Sequence, residues 1–198
     1  DAIATGFIIS EEQARIVSEY CKEQSANGTM IFVDPIMGDE GKLYNGVTDK
    51  AVDSMREMVA VAHLIMPNYT EATFLTGTAY HKDGVSYEEA RTLIDRLHNI
   101  GSKSVLITSI IVDGQSSVVG FNHFNGEYFQ LPYTEIPVHY PGTGDIFSAV
   151  LIGHLLNDDT LKTSTRTAMD AVSNMIERYK DNKDKNKGIP IEKCLDLL

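Results

Sequence analysis

Cysteine is scarce in this chain of 198 residues, which contains only Cys21 and Cys194. The two lie far apart and form no CxxC pair, so the sequence disfavours a disulfide-stabilised secreted scaffold and a structural zinc site. Long apolar segments are also lacking, since no run approaches the roughly 20 residues that span a bilayer. No basic and apolar segment typical of a signal peptide follows Asp1. We therefore expect a cytoplasmic protein without a membrane partner.

Basic side chains are outnumbered by acidic ones, 17 to 28, which gives a formal net charge of −11. A surface this acidic disfavours nucleic acid as a partner, because nucleic-acid binding requires a basic field. It does not exclude a small ligand that carries phosphate groups. Such a ligand would be held by local groups: backbone N–H donors, a helix N-terminus and a metal ion.

Strand-like and helix-like segments alternate along the chain. The continuous apolar run 29–34 predicts a buried parallel strand, and capping boxes that begin at Ser10 and Ser86 predict two helix starts. Two β-like runs flank residues 122–126 and predict a hairpin. We therefore predict a single α/β domain over residues 1–198, with a mostly parallel sheet.

Polar residues lie just past the ends of three predicted strands. They are Asp34, Asn68 and Thr108. In parallel α/β sheets the ligand site lies at the carboxyl ends of the strands. We therefore expect these three residues to face one crevice.

A glycine-rich motif, Gly142-Thr143-Gly144-Asp145, precedes an apolar helix. Glycines allow backbone N–H groups to converge on an anion at a helix N-terminus. Asp145 has two interpretations: it stabilises the helix end, or it takes the proton from a hydroxyl that attacks a phosphoryl group. The motif is neither a dinucleotide fingerprint, since Phe147 replaces the third glycine, nor a Walker A loop.

Two further motifs have both a structural and a functional interpretation. The carboxylates of Asp34 and Asp39 could hold Mg²⁺ through its water shell, or they belong to an ordinary acidic turn. Asn68 and Glu71 have the spacing of a helix N-cap and its capping-box partner.

Taken together and in order, these motifs resemble the ribokinase-like superfamily and, within it, the pyridoxal kinase family. The resemblance rests on the runs 34–44 and 67–72, on Thr108-Ser109, and on Gly-Thr-Gly-Asp-x-Phe at 142–147, and it covers essentially the whole chain. It implies a three-layer α/β/α fold around a mostly parallel sheet. It also implies ATP-dependent phosphorylation of the 5′-hydroxymethyl group of pyridoxal, pyridoxamine or pyridoxine, by a homodimer.

The resemblance implies a role for each matched residue. Asp145 would be the catalytic base, and the anion hole around the transferred phosphoryl group would be formed by Gly142, Thr143 and Gly144. Three residues would bind ATP: Asn68, Thr108 and Ser109. Three carboxylates would organise Mg²⁺ and its waters: Asp34, Asp39 and Glu71. Tyr44 would lie near the substrate, and a monovalent cation such as K⁺ could assist.

Other readings remain open. Hydroxymethylpyrimidine kinases share the fold, but they commonly have Cys at position 145 and lack the continuation at 38–44. A ribokinase-type sugar kinase is disfavoured by the run 34–39.

Family members carry an N-terminal strand, a helix and a lid-like segment before the position of Asp1, and we expect this chain to lack them. A non-catalytic nucleotide-binding or B6-binding module is therefore the alternative from a different class.

Overall fold

A six-stranded sheet forms the centre of residues 1–133 in the computed structural model, which describes residues 1–8 and 10–198. The strands of the chain are β1 (Ala2–Thr5), β2 (Met30–Val33), β3 (Gly38–Asp39), β4 (Lys42–Leu43), β5 (Leu64–Ile65), β6 (Ser104–Val112), β7 (Gln115–Asn122) and β8 (Glu127–Pro132). The sheet order is β1-β2-β5-β6-β7-β8, with β1, β2, β5 and β6 parallel and β6, β7 and β8 antiparallel. The predicted α/β class and the predicted hairpin are confirmed.

Four helices belong to the same unit: α1 (Glu11–Ala26), α2 (Asp49–Val59), α3 (Tyr69–Thr76) and α4 (Tyr87–Ile100). The predicted capping boxes at Ser10 and Ser86 are present with both of their hydrogen bonds. Asn68 begins α3 with a third box. These helix starts follow from contacts over three residues, which explains why the local sequence predicts them.

Alternate residues of the parallel strands pack on the helices. Ile31, Ile65 and Ile107 belong to one apolar cluster with residues of α1 to α4. The intervening residues Phe32 and Leu106 are also buried. Burial on both faces explains the continuous apolar run at 29–34, since a strand with one wet face would alternate.

Strand β6 is longer than predicted. We expected it to span 104–108, but it continues to Val112 through an irregularity where the register against β7 shifts between Ile107 and Ile110. Within this shift, Ser109 has a φ of 52°. A bulge accommodates polar residues inside an otherwise apolar strand, so Thr108 lies within β6 and not beyond its end.

Residues 134–198 form a second compact unit. It contains α5 (Thr143–Leu156) and α6 (Leu161–Tyr179), which pack against each other, followed by three short 3₁₀ turns. Its core includes Tyr140, Ile146 and Met175. No helix within residues 1–8 and 10–198 has the length and apolar character that crossing a membrane requires. That residues 1–198 form one domain stays a prediction.

Candidate functional site

The predicted strand-end residues lie level with the carboxyl ends of β2 and β5, although β6 itself continues past Thr108 to Val112. Asp34 directly follows β2, and its N–H donates to the carbonyl of Thr5 at 3.1 Å. Asn68 forms a parallel bridge with Thr108, whose N–H donates to the Pro67 carbonyl at 3.0 Å. The structure therefore brings Asp34, Asn68 and Thr108 to one edge of the sheet. Their roles in binding stay predictions.

Asn68 and Glu71 do more than cap α3. In the capping box, Asn68 Oδ1 accepts from the Glu71 N–H at 2.9 Å and Glu71 Oε2 accepts from the Asn68 N–H at 2.8 Å. The remaining groups reach the segment after β2: Asn68 Nδ2 donates to the Gly38 carbonyl at 2.8 Å, and Glu71 Oε1 accepts from the Met37 N–H at 2.9 Å. The pair thus attaches this segment to the first turn of α3.

Burial determines the protonation of Glu71, which is 3% exposed. Desolvation raises its pKa from 4.5 to about 8, opposed by hydrogen bonds from the N–H groups of Met37, Asn68 and Gly38, while the nearby charge of Asp34 adds to the rise. A neighbouring cation would lower the pKa of this buried carboxyl group, because a cation favours the ionised form.

Carboxylates are concentrated around Tyr44. Desolvation raises the pKa of this phenol, and the charges of Asp39, Glu71 and Asp34 raise it further. Tyr44 itself is 44% exposed. The predicted metal residues therefore do gather near the predicted substrate residue.

These residues fit a hydrated Mg²⁺ better than a protein-enclosed one. Within residues 1–8 and 10–198, no group of three or more His, Cys, Asp or Glu side chains could hold a metal ion. Mg²⁺ usually keeps several waters and binds through one or two carboxylates plus phosphate oxygens. Asp34 and Asp39 suit that arrangement. Glu71 already uses both oxygens for backbone N–H groups, which suits an indirect role.

The segment after β2 contains a two-stranded hairpin, where the sequence left an acidic turn as one interpretation. Strands β3 and β4 pair Gly38 with Leu43 and Asp39 with Lys42. The Tyr44 N–H closes the structure by donating to the carbonyl of Met37 at 2.9 Å. Asp39 therefore lies on this small hairpin, and Tyr44 directly follows it.

The glycine-rich motif of the second unit forms the N-terminus of α5. Gly142 is the N-cap residue, with φ +84° and no side chain to satisfy the first amides. The N–H groups of the first turn have no acceptor within the helix and point toward an incoming anion. Thr143 Oγ1 donates to the carbonyl of Tyr140 at 3.3 Å, and Tyr140 is 2% exposed. A buried anchor thus orients the loop.

Asp145 lies in the first turn of α5 and is exposed. Its Oδ2 is 3.8 Å from the position that a Cβ on Gly142 would occupy, so the carboxylate lies close over the N-cap. The carboxylate is accessible to a substrate hydroxyl and also well placed to stabilise the helix dipole. This geometry is compatible with both interpretations of Asp145.

Two residues that contact the β3–β4 hairpin were not indicated by any motif in the sequence. Thr70 lies between Asn68 and Glu71 at a position that the motif leaves unspecified, and Tyr80 lies in the connection after α3. Both contact the β3–β4 hairpin at Gly41. Sequence spacing could not reveal them, since the contact partners are distant along the chain.

Comparison with known proteins identifies relatives. The sequence model of the family described as phosphomethylpyrimidine kinase matches residues 1–190. The pyridoxal kinase of Arabidopsis thaliana is 30% identical over 98% of this chain. The chain spans 64% of that relative, which is slightly less than two thirds of its length.

Solved structures share the fold. A putative phosphomethylpyrimidine kinase from Bacteroides thetaiotaomicron, in a crystal form with pyridoxal, has a TM-score of 0.91 at 33% identity, over 100% of this chain and 70% of that one. A pyridoxal kinase from Leishmania donovani, in complex with ADP and pyridoxamine, has a TM-score of 0.76 at 25% identity, over 94% of this chain and 64% of that one. These likenesses confirm the predicted ribokinase-like α/β fold.

Proposed function

The chain belongs to the phosphomethylpyrimidine kinase family, and from that premise we propose that it transfers the γ-phosphoryl group of ATP to the 5′-hydroxymethyl group of a vitamin B6 vitamer. The products are the 5′-phosphate and ADP. The observation that carries the proposal is the glycine-capped N-terminus of α5, with Asp145 in its first turn. Similarity to pyridoxal kinases, and the pyridoxal bound to a structural neighbour, support the choice of vitamer.

Phosphoryl transfer requires mainly positioning and charge neutralisation. In the proposal, the first-turn amides that follow Gly142 receive the γ-phosphate oxygens. Asp145 accepts the proton of the hydroxymethyl group as the new O–P bond forms and the bond to ADP breaks. An acidic protein can do this without an arginine cluster, because amides and the helix dipole supply the positive potential.

The proposal also includes nucleotide and metal ligands. Asn68, Thr108 and Ser109 would bind ATP phosphates, and Asp34 and Asp39 would hold Mg²⁺ through its waters. When bound, Mg²⁺ neutralises charge on the phosphate oxygens. We further propose a cytoplasmic homodimer, in which a monovalent cation such as K⁺ can assist.

Hydroxymethylpyrimidine is the second candidate substrate, and the matching family model favours it by its description. The two readings differ in the pyridine or pyrimidine ring that carries the hydroxymethyl group. The acid at position 145 and the sequence run 38–44 favour the vitamer, since the resemblance implies that the pyrimidine kinases commonly differ at both places.

Turnover with ATP and Mg²⁺ tests the proposal, with ADP release measured for pyridoxal, pyridoxamine, pyridoxine and hydroxymethylpyrimidine. We expect the highest kcat/KM for one of the three vitamers. Turnover of hydroxymethylpyrimidine alone would select the second candidate. ATP binding by calorimetry, with no turnover of any of the four, would indicate a non-catalytic module.

Replacing Gly144 with alanine should increase the stability of the protein and lower its activity. Gly144 is helical, and a Cβ there would have no neighbour within 4 Å in the described parts of the chain, so alanine should raise the free energy of unfolding by about 1 kcal/mol. The new methyl would point back toward the N-terminal amides, and we expect kcat/KM for ATP to fall at least tenfold.

Gly142→Ala is the matched control for backbone strain. With φ +84°, alanine there should cost about 1 kcal/mol of stability, measured by urea unfolding. If Gly144→Ala kept the wild-type kcat/KM, the assignment of these amides to the γ-phosphate would be wrong.

A further inference from the structure

The β3–β4 hairpin cannot hold its own position. It has two paired positions, and it forms a sheet separate from the six-stranded one. An isolated two-stranded hairpin is marginally stable at best in water. The location of Asp39 and Tyr44 therefore depends on contacts between the hairpin and other elements.

The base of the hairpin is attached through residues already described, Asn68 and Glu71. Its tip has a separate attachment, since the N–H of Gly41 donates to Thr70 Oγ1 at 2.9 Å. Thr70 is 2% exposed and lies in the first turn of α3. A buried hydroxyl oxygen thus accepts a hydrogen bond from the backbone amide of the hairpin turn.

Tyr80 supports the other side of the same turn. Its Cδ1 lies 2.7 Å from the position of a Cβ on Gly41, so the ring lies directly against the glycine. The Tyr80 ring packs on Tyr69, with centroids 5.0 Å apart. Tyr69 is 4% exposed, and its hydroxyl accepts from the His81 N–H at 3.2 Å. A buried aromatic ring therefore supports Tyr80, which in turn supports Gly41.

Electrostatics agrees with this proximity. The pKa of the Tyr80 phenol is raised by desolvation and by the charges of Asp39 and Glu40. The contact of the ring with Gly41 places it beside these acidic residues.

We propose that Thr70 and Tyr80 are positioning residues, which hold the tip of the β3–β4 hairpin and thereby place Asp39 and Tyr44 for the reaction. The kinetic part of this proposal rests on the proposed function. A hairpin fixed before ATP and substrate arrive loses little conformational freedom on binding, which favours affinity.

Two pairs of variants test the proposal. Thr70→Val removes the acceptor at nearly the same volume, and Thr70→Ser restores a hydroxyl. Tyr80→Ala removes the ring, and Tyr80→Phe restores it. We expect the Gly41 amide to exchange its hydrogen at least tenfold faster in Thr70→Val. In Tyr80→Ala we expect the amides of both Gly41 and Tyr44 to exchange faster. The conservative variants Thr70→Ser and Tyr80→Phe should return these exchange rates toward wild type.

The kinetic measurement separates positioning from general stability. We expect KM for ATP or for the vitamer to rise at least fivefold in Thr70→Val and Tyr80→Ala, with a smaller change in kcat, and the conservative variants to recover it. A purely structural role would lower the melting temperature and leave KM of the folded protein unchanged. Thermal melting therefore accompanies each assay.

Unchanged amide exchange in both Thr70→Val and Tyr80→Ala would overturn the proposal. Faster exchange with wild-type KM and wild-type ATP affinity would also overturn it, since the hairpin position would then have no consequence. If the wild-type chain binds ATP but phosphorylates no vitamer, the proposed function alone fails. Amide exchange and calorimetric ATP affinity then decide the role of Thr70 and Tyr80.

Discussion

Replacing Asp145 with asparagine is expected to lower kcat by about 10³-fold, within the range that a positioned general base contributes. Asparagine keeps the size and one acceptor oxygen of the side chain but cannot take the proton of the attacking hydroxyl. ATP binding, measured by calorimetry, should stay within about threefold of wild type, because the first-turn amides remain.

The opposite result would support the structural interpretation of Asp145. An acid that only stabilises a helix N-terminus contributes about 0.3–1 kcal/mol, and its loss would lower stability while kcat stayed within tenfold of wild type. Asp158→Asn is the matched control. Asp158 is exposed, follows α5 and has φ +67°, a conformation that asparagine tolerates. We expect it to keep wild-type turnover.

We expect the wild-type protein to lose stability relative to the Glu71→Gln variant as the pH rises from about 4.5 to about 8. The folded state raises the pKa of Glu71 from 4.5 to about 8, so it binds the proton more tightly than the unfolded state. The stabilisation is fully present below the unfolded pKa and is lost as the pH rises through the folded one. The difference should accumulate to a few kcal/mol, at about 1.4 kcal/mol per pH unit at most.

Urea unfolding at half-unit steps of pH measures this difference between the wild type and Glu71→Gln. Glutamine loses one of the N–H partners, but that cost does not depend on pH and leaves the slope interpretable. Parallel curves for the two proteins would show that folding leaves the pKa of Glu71 unchanged, and the buried-acid account would then be wrong.

Glu89 provides a matched control with the opposite sign. It occupies the same place in the capping box of α4, but it is exposed, and the N–H and hydroxyl of Ser86 lower its pKa. Its stabilisation is present above the unfolded pKa and is lost as the pH falls through the folded one. Glu89→Gln should therefore approach the wild type at low pH. The contrast with Glu71 isolates the effect of burial, because the motif is the same.

How much of the site could be predicted depends on the range of the interactions. The glycine-capped start of α5 and the boxes at Ser10 and Ser86 consist of contacts within one helical turn, so the local sequence predicts them. The grouping of Asp34, Asn68 and Thr108 at one sheet edge follows from the rule for parallel sheets. The catalytic, ATP-binding and metal-binding roles of these residues stay predictions.

Three features needed the tertiary structure. The bulge at Ser109 and the continuation of β6 depend on pairing with β7. The polar residues at 108 and 109 interrupt the apolar pattern, so the sequence alone does not predict that the strand continues. The contacts of Glu71 with Met37 and of Thr70 with Gly41 join residues 34 and 29 positions apart. The raised pKa of Glu71 follows from its burial, which is a property of everything packed around it.

The sequence by itself therefore determined the family, the order of the helices and of the six strands of the main sheet, and the helix starts, because each is encoded in residues that are neighbours along the chain. Only the tertiary structure decided that Glu71 is a buried acid that links α3 to the hairpin, and that Thr70 and Tyr80 hold the turn at Gly41. The physical reason is that desolvation and side-chain packing depend on contacts between distant segments.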